Sequence, residues 1–324
     1  MESSKKNFQK AVVGATKLKL KSEYRHAKSA LRPSFPYGKP TLPGVIEPPK
    51  KQNKLGVDYN TDWARKPAMK FARRVVLESL ARPVIHLIAS PTILGDEIFQ
   101  SLKGPFIFTA NHASHLDTGL LLTCLPENIR SRCVAAAAAD YFFDTPMKAF
   151  FAASVLNAVP MERLKVNRRS ALMAAELIEE GWNLIIFPEG GRTPDGWGQP
   201  FKGGAAYLAI RTGAPIIPVH LHGTRQLLGK GARRLVTGTT KVTFGKPITP
   251  FEKEDARKLA ERVQDAVACL ADEAATTFWE AKKRNASKST PLLEGHLDKG
   301  WRKSFESYNL PSPSRPSRPS WPPK

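Results

Sequence analysis

Short apolar runs of strand length alternate with helical runs through the middle of this 324-residue chain, and this alternation restricts its fold more than any other feature. The run at residues 183–187 is apolar enough for a strand that is buried on both faces. Strands that alternate with helices predict an α/β fold, with a central sheet flanked by helices. The predicted strands are residues 105–109, 183–187 and 215–221, and the predicted helices are residues 118–125, 168–180 and 204–212.

Two further helices are predicted from local signals. Residues 62–80 carry apolar side chains on one helical face and basic side chains, Arg73 and Arg74 among them, on the opposite face. Such a basic helix can lie in a membrane interface, and it can equally pack its apolar stripe on its own domain. The sequence Thr249-Pro250-Phe251-Glu252 predicts the start of the last long helix, since it combines a capping box with a proline at the first helical position.

The charge of the chain is concentrated at its two ends. Residues 1–60 hold 13 basic and 4 acidic side chains, and residues 281–324 hold 10 and 3, so the ends carry +16 of the net charge of +21. This distribution predicts a basic disordered arm at 1–60, a folded domain at 61–280 and a basic Pro/Ser-rich disordered tail at 281–324. The 41% of apolar residues is enough for a sizeable core.

The basic ends predict an anionic partner, and both a membrane surface and nucleic acid are anionic. No helix-turn-helix or zinc-finger spacing is found, so a membrane surface is favoured and nucleic acid is not expected. The three cysteines have no paired spacing, which argues against disulfides and a zinc site and favours a reducing compartment. No secretory signal is visible and no uncharged run reaches about 20 residues. We therefore expect a cytoplasmic protein that lies peripherally on the cytoplasmic face of a membrane.

The first candidate site follows the strand at residues 105–109, in the sequence Asn111-His112-Ala113-Ser114-His115-Leu116-Asp117. On one regular helix, His112 and Asp117 would be 140° apart and could not meet. They can meet if His112 lies in the loop and Asp117 lies in the first helical turn, with Ser114 as the N-cap. Asp117 would then fix the tautomer of His112, and the other ring nitrogen could accept a proton.

The second candidate site follows the strand at residues 183–187, in the sequence Phe187-Pro188-Glu189-Gly190-Gly191-Arg192. The glycines allow a ligand to approach the backbone, and the planar guanidinium of Arg192 suits a phosphate. The same residues could form an ordinary tight turn that is closed by an Arg–Glu pair. Ligands of open α/β sheets bind beyond the carboxyl ends of strands, which is where both sequences lie.

Taken together, the motifs resemble those of the glycerolipid acyltransferase family, whose best-known members acylate lysophosphatidic acid. The resemblance covers residues 100–245 and rests on four stretches in the order of the family. The first stretch is Asn-His-x-Ser-x-x-Asp, and the second is a short motif that ends at Arg163. The third is Phe-Pro-Glu-Gly-x-Arg, which is followed by Phe201-Lys202-Gly203, and the fourth is the proline-rich strand at residues 214–219.

This resemblance implies a reaction and a role for each residue. His112 would deprotonate the acceptor hydroxyl, with Asp117 orienting it, and the acyl group would come from acyl-CoA or acyl carrier protein. The acceptor would be a lysophosphatidic acid-like lysophospholipid, without a covalent acyl-enzyme, a metal or a cofactor. The residues expected at the acceptor and its phosphate are Arg163, Glu189, Gly190, Arg192 and Lys202.

Several alternatives remain open from the sequence. The acceptor could be glycerol 3-phosphate, another lysophospholipid or a glycolipid. A serine hydrolase is disfavoured because no Gly-x-Ser-x-Gly sequence is present. A basic membrane adaptor without catalytic activity is disfavoured by the intact pair of His112 and Asp117.

Overall fold

The structure, a computed structural model, describes Gly56 and residues 58–162, 168–232 and 234–294. The predicted arm of residues 1–60 and the predicted tail of residues 281–324 therefore lie largely outside the described residues. Among the residues that are described, no helix is both long enough and apolar enough to cross a bilayer.

Seven strands of the described chain form one mixed sheet, in the order β1-β7-β6-β2-β5-β3-β4. Neighbouring strands are parallel except for β6 and β7, which are antiparallel. The strands are β1 (Pro91–Leu94), β2 (Ile107–Ala110), β3 (Cys133–Ala138), β4 (Ala158–Met161), β5 (Asn183–Ile186), β6 (Ile216–His222) and β7 (Thr240–Phe244).

Helices connect the strands and cover both faces of the sheet. They are α1 (Pro67–Val76), α2 (Arg82–Ala89), α3 (Ile98–Ser101), α4 (Asp117–Cys124), α5 (Glu127–Arg130), α6 (Ala139–Phe142), α7 (Pro146–Leu156), α8 (Arg168–Glu179), α9 (Gly204–Thr212), α10 (Thr224–Leu228), α11 (Ala256–Ala275) and α12 (Phe278–Ala286). A 3₁₀ turn at Asp62–Arg65 precedes α1, and a π turn at Leu77–Ala81 joins α1 to α2.

Two apolar cores lie on opposite faces of the sheet, and strand β2 contributes to both. All four residues of β2 are buried, and successive side chains of a strand point to opposite faces. Phe108 packs in the core that includes α2 and α4, whereas Ile107 packs in the core that includes α8, α9 and α11. The result is a three-layer structure, which confirms the predicted α/β fold.

The helical segment at residues 62–80 is present, but its two faces differ from the prediction. Arg73, predicted on a solvated basic face, is buried, and its guanidinium donates hydrogen bonds to the carbonyls of Ala64, Ala153 and Ser154. The last carbonyls of α7 lack partners within their own helix, so a buried donor is needed there. By contrast, Val75 and Leu80 of the predicted apolar stripe are exposed.

The last long helix begins later than the sequence predicts. Its first residue is Ala256, and Asp255 caps it by accepting a hydrogen bond from the backbone N–H of Arg257. The predicted capping box at residues 249–252 lies in a turn instead. There the carboxylate of Glu254 accepts from the N–H of Phe251 and pairs with Arg262.

The predicted boundary between the domain and its tail, at residue 280, falls inside α12. Helix α12 packs on α11 through Arg284, which forms a two-hydrogen-bond pair with the buried carboxylate of Asp272, 2.7 Å for each bond. Beyond α12, the backbone N–H of Gly198 donates to the carbonyl of Leu293. The folded domain therefore includes part of the segment predicted as a tail.

Candidate active site

The two predicted loops meet at the carboxyl end of β2. Strand β2 lies between β5 and β6, so the segment that follows β2 is flanked by the segment that follows β5. The backbone N–H of His112 donates to Oε1 of Glu189 at 2.8 Å, and the N–H of Thr193 donates to the carbonyl of His112 at 2.9 Å. These hydrogen bonds join the two loops around His112.

Asp117 lies at the first residue of α4, and His112 lies in the loop before it, as the sequence predicts. Nδ1 of His112 is 2.8 Å from Oδ2 of Asp117. The same oxygen accepts the N–H groups of Ala113 at 2.7 Å and Ser114 at 2.8 Å. One fully buried carboxylate oxygen therefore orders the loop and orients the imidazole.

Because the carboxylate of Asp117 only accepts hydrogen bonds, the proton of His112 is on Nδ1. In the neutral ring with this tautomer, Nε2 carries no proton and can act as a base. The ring is one-fifth exposed and stacks on Phe187, with ring centroids 4.2 Å apart. The motif residue Phe187 thus fixes the plane of the imidazole, a role that sequence reasoning missed.

The predicted N-cap role of Ser114 is wrong in detail. The residue before α4 is Leu116, and the Ser114 hydroxyl accepts its N–H at 3.2 Å. The hydroxyl also donates to the carbonyl of Leu228 in α10. Ser114 therefore ties the loop of the candidate base to α10, while Asp117 itself occupies the start of the helix.

Asn111 positions the other end of the loop. Its side-chain amide donates to the carbonyl of Leu221 and accepts the N–H of the same residue, at 3.0 and 2.7 Å. Asn111 thereby continues the pairing of β2 with β6 beyond the last residue of β2. Its place directly before His112 was the only sequence signal for this role.

Glu189 is buried and braces the two loops. Oε1 accepts from His112 and Oε2 accepts the N–H of Gln199, so both oxygens bind backbone donors. Burial raises the pKa of Glu189 to about 7, against the lowering effect of these two hydrogen bonds. The predicted contact of Glu189 with an acceptor stays a prediction.

Gly190 and Lys202 lie against each other. Gly190 has a φ of +73°, and a Cβ at this position would lie 2.5 Å from Nζ of Lys202. A side chain at 190 would strain the backbone at this φ and would also displace the end of the lysine. The N–H of Lys202 also donates to the carbonyl of Pro188, which keeps the lysine beside this loop.

Arg192 brings positive charge to the loop that contains His112. Burial, followed by the charges of Arg192 and His112, lowers the pKa of His115, so the guanidinium is close enough to affect that ring. Arg163, the other predicted phosphate ligand, lies outside the described residues. The structure thus brings six of the seven predicted site residues to one edge of the sheet: His112, Asp117, Glu189, Gly190, Arg192 and Lys202.

A cavity of about 250 Å³ opens beside His112 and Glu189. Its walls include residues that the motifs do not contain, from the loop at 196–198, from α11 and from residues 291–293. His220 also lines it, and burial lowers the pKa of that imidazole to about 3, so it is neutral. Nothing in the local sequence marked the α11 face as part of the site.

Within the described residues, no group of three or more side chains has a composition and placement that suit a metal ion. His220 and His222 neighbour each other on β6, with ring centroids 6.1 Å apart. Because Asp117 orients its ring, His112 can perform proton transfer beside a basic loop.

Comparisons with known proteins agree with this geometry. Residues 90–222 match the acyltransferase family model. The chloroplastic 1-acyl-sn-glycerol-3-phosphate acyltransferase BAT2 of Brassica napus is 30% identical over 159 residues, which are 48% of this chain and 44% of that protein. The 1-acyl-sn-glycerol-3-phosphate acyltransferase alpha of Bos taurus is 27% identical over 53% of this chain and 60% of that protein. The chain thus spans about half the length of these curated relatives.

The crystal structure of the 1-acyl-sn-glycerophosphate acyltransferase PlsC from Thermotoga maritima has a similar fold. It superposes with a TM-score of 0.50 and 25% sequence identity, covering 66% of this chain and 83% of that one. The motifs, the fold and the relatives agree with one another. Residues 90–222 of this chain therefore form an acyltransferase domain that is similar to those of the glycerolipid acyltransferases.

Proposed function

We propose that this chain is an O-acyltransferase of phospholipid biosynthesis, which moves a fatty acyl group from a thioester to the hydroxyl of a lysophosphatidic acid-like acceptor. The observation that carries the proposal is the pair of His112 and Asp117, whose hydrogen bond of 2.8 Å orients a base at the edge of a cavity. The acyl donor is acyl-CoA or acyl carrier protein, and no metal or cofactor takes part.

In the proposed reaction, Nε2 of His112 takes the proton of the acceptor hydroxyl. The acceptor oxygen attacks the thioester carbonyl, a C–O bond forms and the C–S bond breaks. The thiolate leaves and takes the proton from the imidazolium, which restores the neutral ring. Asp117 stabilises the transient positive charge, because its carboxylate is hydrogen-bonded to the same ring.

The phosphate of the acceptor is assigned to the basic groups beside Gly190. Arg192 supplies a planar fork of donors, and Lys202 supplies a compact positive charge against the glycine. Arg163 is proposed as a further ligand from the motif alone. The names of the relatives support lysophosphatidate over glycerol 3-phosphate, another lysophospholipid or a glycolipid.

We further propose that the protein lies peripherally on an anionic membrane, at its cytoplasmic face. Exposed large side chains support this: Phe71 in α1, Leu80 in the π turn and Leu87 in α2. The basic residues of the arm at 1–60 add electrostatic attraction, on the order of 1 kcal/mol for each residue near the surface. No role for nucleic acid is proposed.

The test is acyl transfer by purified protein from acyl-CoA and from acyl carrier protein to a panel of acceptors. His112→Ala should lower turnover by about 10²–10⁴, the usual contribution of general acid–base catalysis, with an unchanged circular dichroism spectrum. Near-normal turnover in this variant would show that the proposed base is wrong. A wild-type protein that binds vesicles but acylates none of the acceptors would be the adaptor, and release of free fatty acid without an acceptor would indicate a hydrolase.

A further inference from the structure

Helix α12 lies on the rim of the cavity that contains His112, although it is outside the matched acyltransferase domain at residues 90–222. Ala275, the last residue of α11, lines the cavity, and residues 291–293 line it again. Helix α12 is the connection between these two points. Arg284 holds it in place through its pair with Asp272, another cavity residue.

The outer surface of this connection is apolar and aromatic. Trp279 is 73% exposed, and Phe278 and Leu292 are each 48% exposed. The rings of Phe278 and Trp279 contact edge to face, 5.4 Å apart. Neighbouring large apolar side chains that stay in water at the rim of a cavity indicate a surface that binds a partner.

Basic side chains lie on the same helix as these rings and just after its end. Lys282 lies over the ring of Phe278, with Nζ 5.4 Å from its centroid, and Lys283 and Lys288 are exposed nearby. We call the surface formed by Phe278, Trp279, Lys282, Lys283 and Lys288 the rim surface. Its combination of tryptophan, phenylalanine and lysine is typical of segments that lie in the headgroup region of a bilayer.

We propose that the rim surface binds an anionic lipid bilayer and places the mouth of the His112 cavity on it. The positive charge of the lysines complements anionic headgroups, and the two rings can insert shallowly below them. The inference rests on the proposed function in one respect, that the acceptor is a lipid.

A polarity-sensitive dye at residue 279 tests the contact directly. Full-length Trp279→Cys protein can be labelled selectively, because Cys124, Cys133 and Cys269 are buried. Burial also raises the pKa of the Cys124 and Cys133 thiols to about 12, which leaves little reactive thiolate. On phosphatidylcholine vesicles that contain phosphatidylserine, the dye emission should shift to the blue and rise severalfold, and the shift should weaken as salt increases.

The matched control is Phe251→Cys with the same dye. Phe251 is also exposed, but its ring contacts Arg262 in the first half of α11, whereas α12 packs near the end of α11 through the pair of Arg284 and Asp272. The ten residues from Arg262 to Asp272 span about 15 Å of helix. The dye at residue 251 should keep its emission in water when vesicles are added. Three results would overturn the proposal. The dye at 279 could keep its emission in water while the protein co-sediments with vesicles, or the emission could shift equally at positions 279 and 251. The third result is a protein that does not co-sediment with the vesicles.

An activity measurement separates this proposal from the proposed function. The double variant Phe278→Ser/Trp279→Ser should have a kcat/KM about tenfold or more below that of the wild type for an acceptor in vesicles. Loss of the burial of one large apolar side chain in the bilayer is enough for a difference of this size. With a short-chain soluble acceptor, the kcat/KM of the double variant should match that of the wild type. The control variant Phe251→Ser should match the wild type with both acceptors. Equal losses with both acceptors would overturn the rim surface. A wild-type protein that acylates neither acceptor would refute the proposed function, and the dye would still decide the membrane contact.

Discussion

Replacement of Asp117 by asparagine separates the two tasks of this side chain, orientation of the loop and stabilisation of positive charge. Oδ2 of Asp117 accepts three N–H groups, whereas Oδ1 is buried without a partner among the described residues. An asparagine that keeps its oxygen at the Oδ2 position preserves all three hydrogen bonds. Its amide group then occupies the Oδ1 position as a buried donor, which costs roughly 1–3 kcal/mol of stability.

The effect on catalysis comes from the missing charge. At an effective dielectric of 20, two unit charges about 4 Å apart attract each other by about 4 kcal/mol. The imidazolium that forms on His112 during the reaction would lose that stabilisation, so kcat should fall by about 10³ if the whole energy acts in the transition state. We therefore expect Asp117→Asn to lower kcat by about 10²–10⁴.

Asp117→Ala is the comparison variant. It removes the charge and also leaves three N–H groups without an acceptor in a buried loop. We expect a similar loss in kcat, together with about 3 kcal/mol or more of lost stability. The measurements are steady-state acyl transfer and urea unfolding of wild type and both variants.

The reasoning is refuted if Asp117→Asn keeps kcat within a factor of about ten of wild type, because a full charge beside the imidazolium should contribute more than 1.4 kcal/mol. It is also refuted if Asp117→Ala unfolds at the same urea concentration as wild type. In that case the three hydrogen bonds to Oδ2 would not stabilise the loop.

Three further predictions concern the acceptor loop and the helical layer. Arg192→Ala should raise the KM of a phosphate-bearing acceptor at least about tenfold and leave the KM of the thioester near normal. The reason is that a charge-assisted hydrogen bond contributes about 1.5–3 kcal/mol. A change in the thioester KM alone would show that Arg192 binds the acyl donor instead of the acceptor. Because the folded-state pKa of Glu189 is raised to about 7, native protein binds more protons than unfolded protein between pH 4.5 and 7, so this group stabilises less as pH rises. Urea unfolding across that range should show the stability of Glu189→Gln rising relative to wild type, by up to about 3 kcal/mol, and a constant difference would contradict the raised pKa. Arg73→Ala should lower the free energy of unfolding by about 3 kcal/mol, because two buried carbonyls and one partly buried carbonyl lose their donor. Arg74→Ala breaks an exposed pair with Glu127 and should change the free energy of unfolding by less than about 1 kcal/mol. Equal effects of the two variants in thermal unfolding would show that the contacts of Arg73 do not stabilise the fold.

The sequence alone determined the features that depend on neighbouring residues. The alternation of strand and helix predicts the α/β fold, and helix α9 has the predicted bounds of residues 204–212, with Gly213 directly after it. The placement of His112 in a loop and Asp117 at a helix start also follows, because it is the only local geometry in which five-residue spacing allows contact. These signals suffice because each arises within about ten residues of chain.

Only the tertiary structure decided which side chains meet across the fold. The sequence pattern predicts Arg73 on a solvated basic face. It is buried instead, because its guanidinium donates hydrogen bonds to carbonyls some 80 residues away. The wall of the cavity combines Glu189, α11 and residues 291–293, which lie far apart in sequence. Contacts of this kind depend on packing between distant elements, and no local periodicity or spacing in the chain encodes that packing.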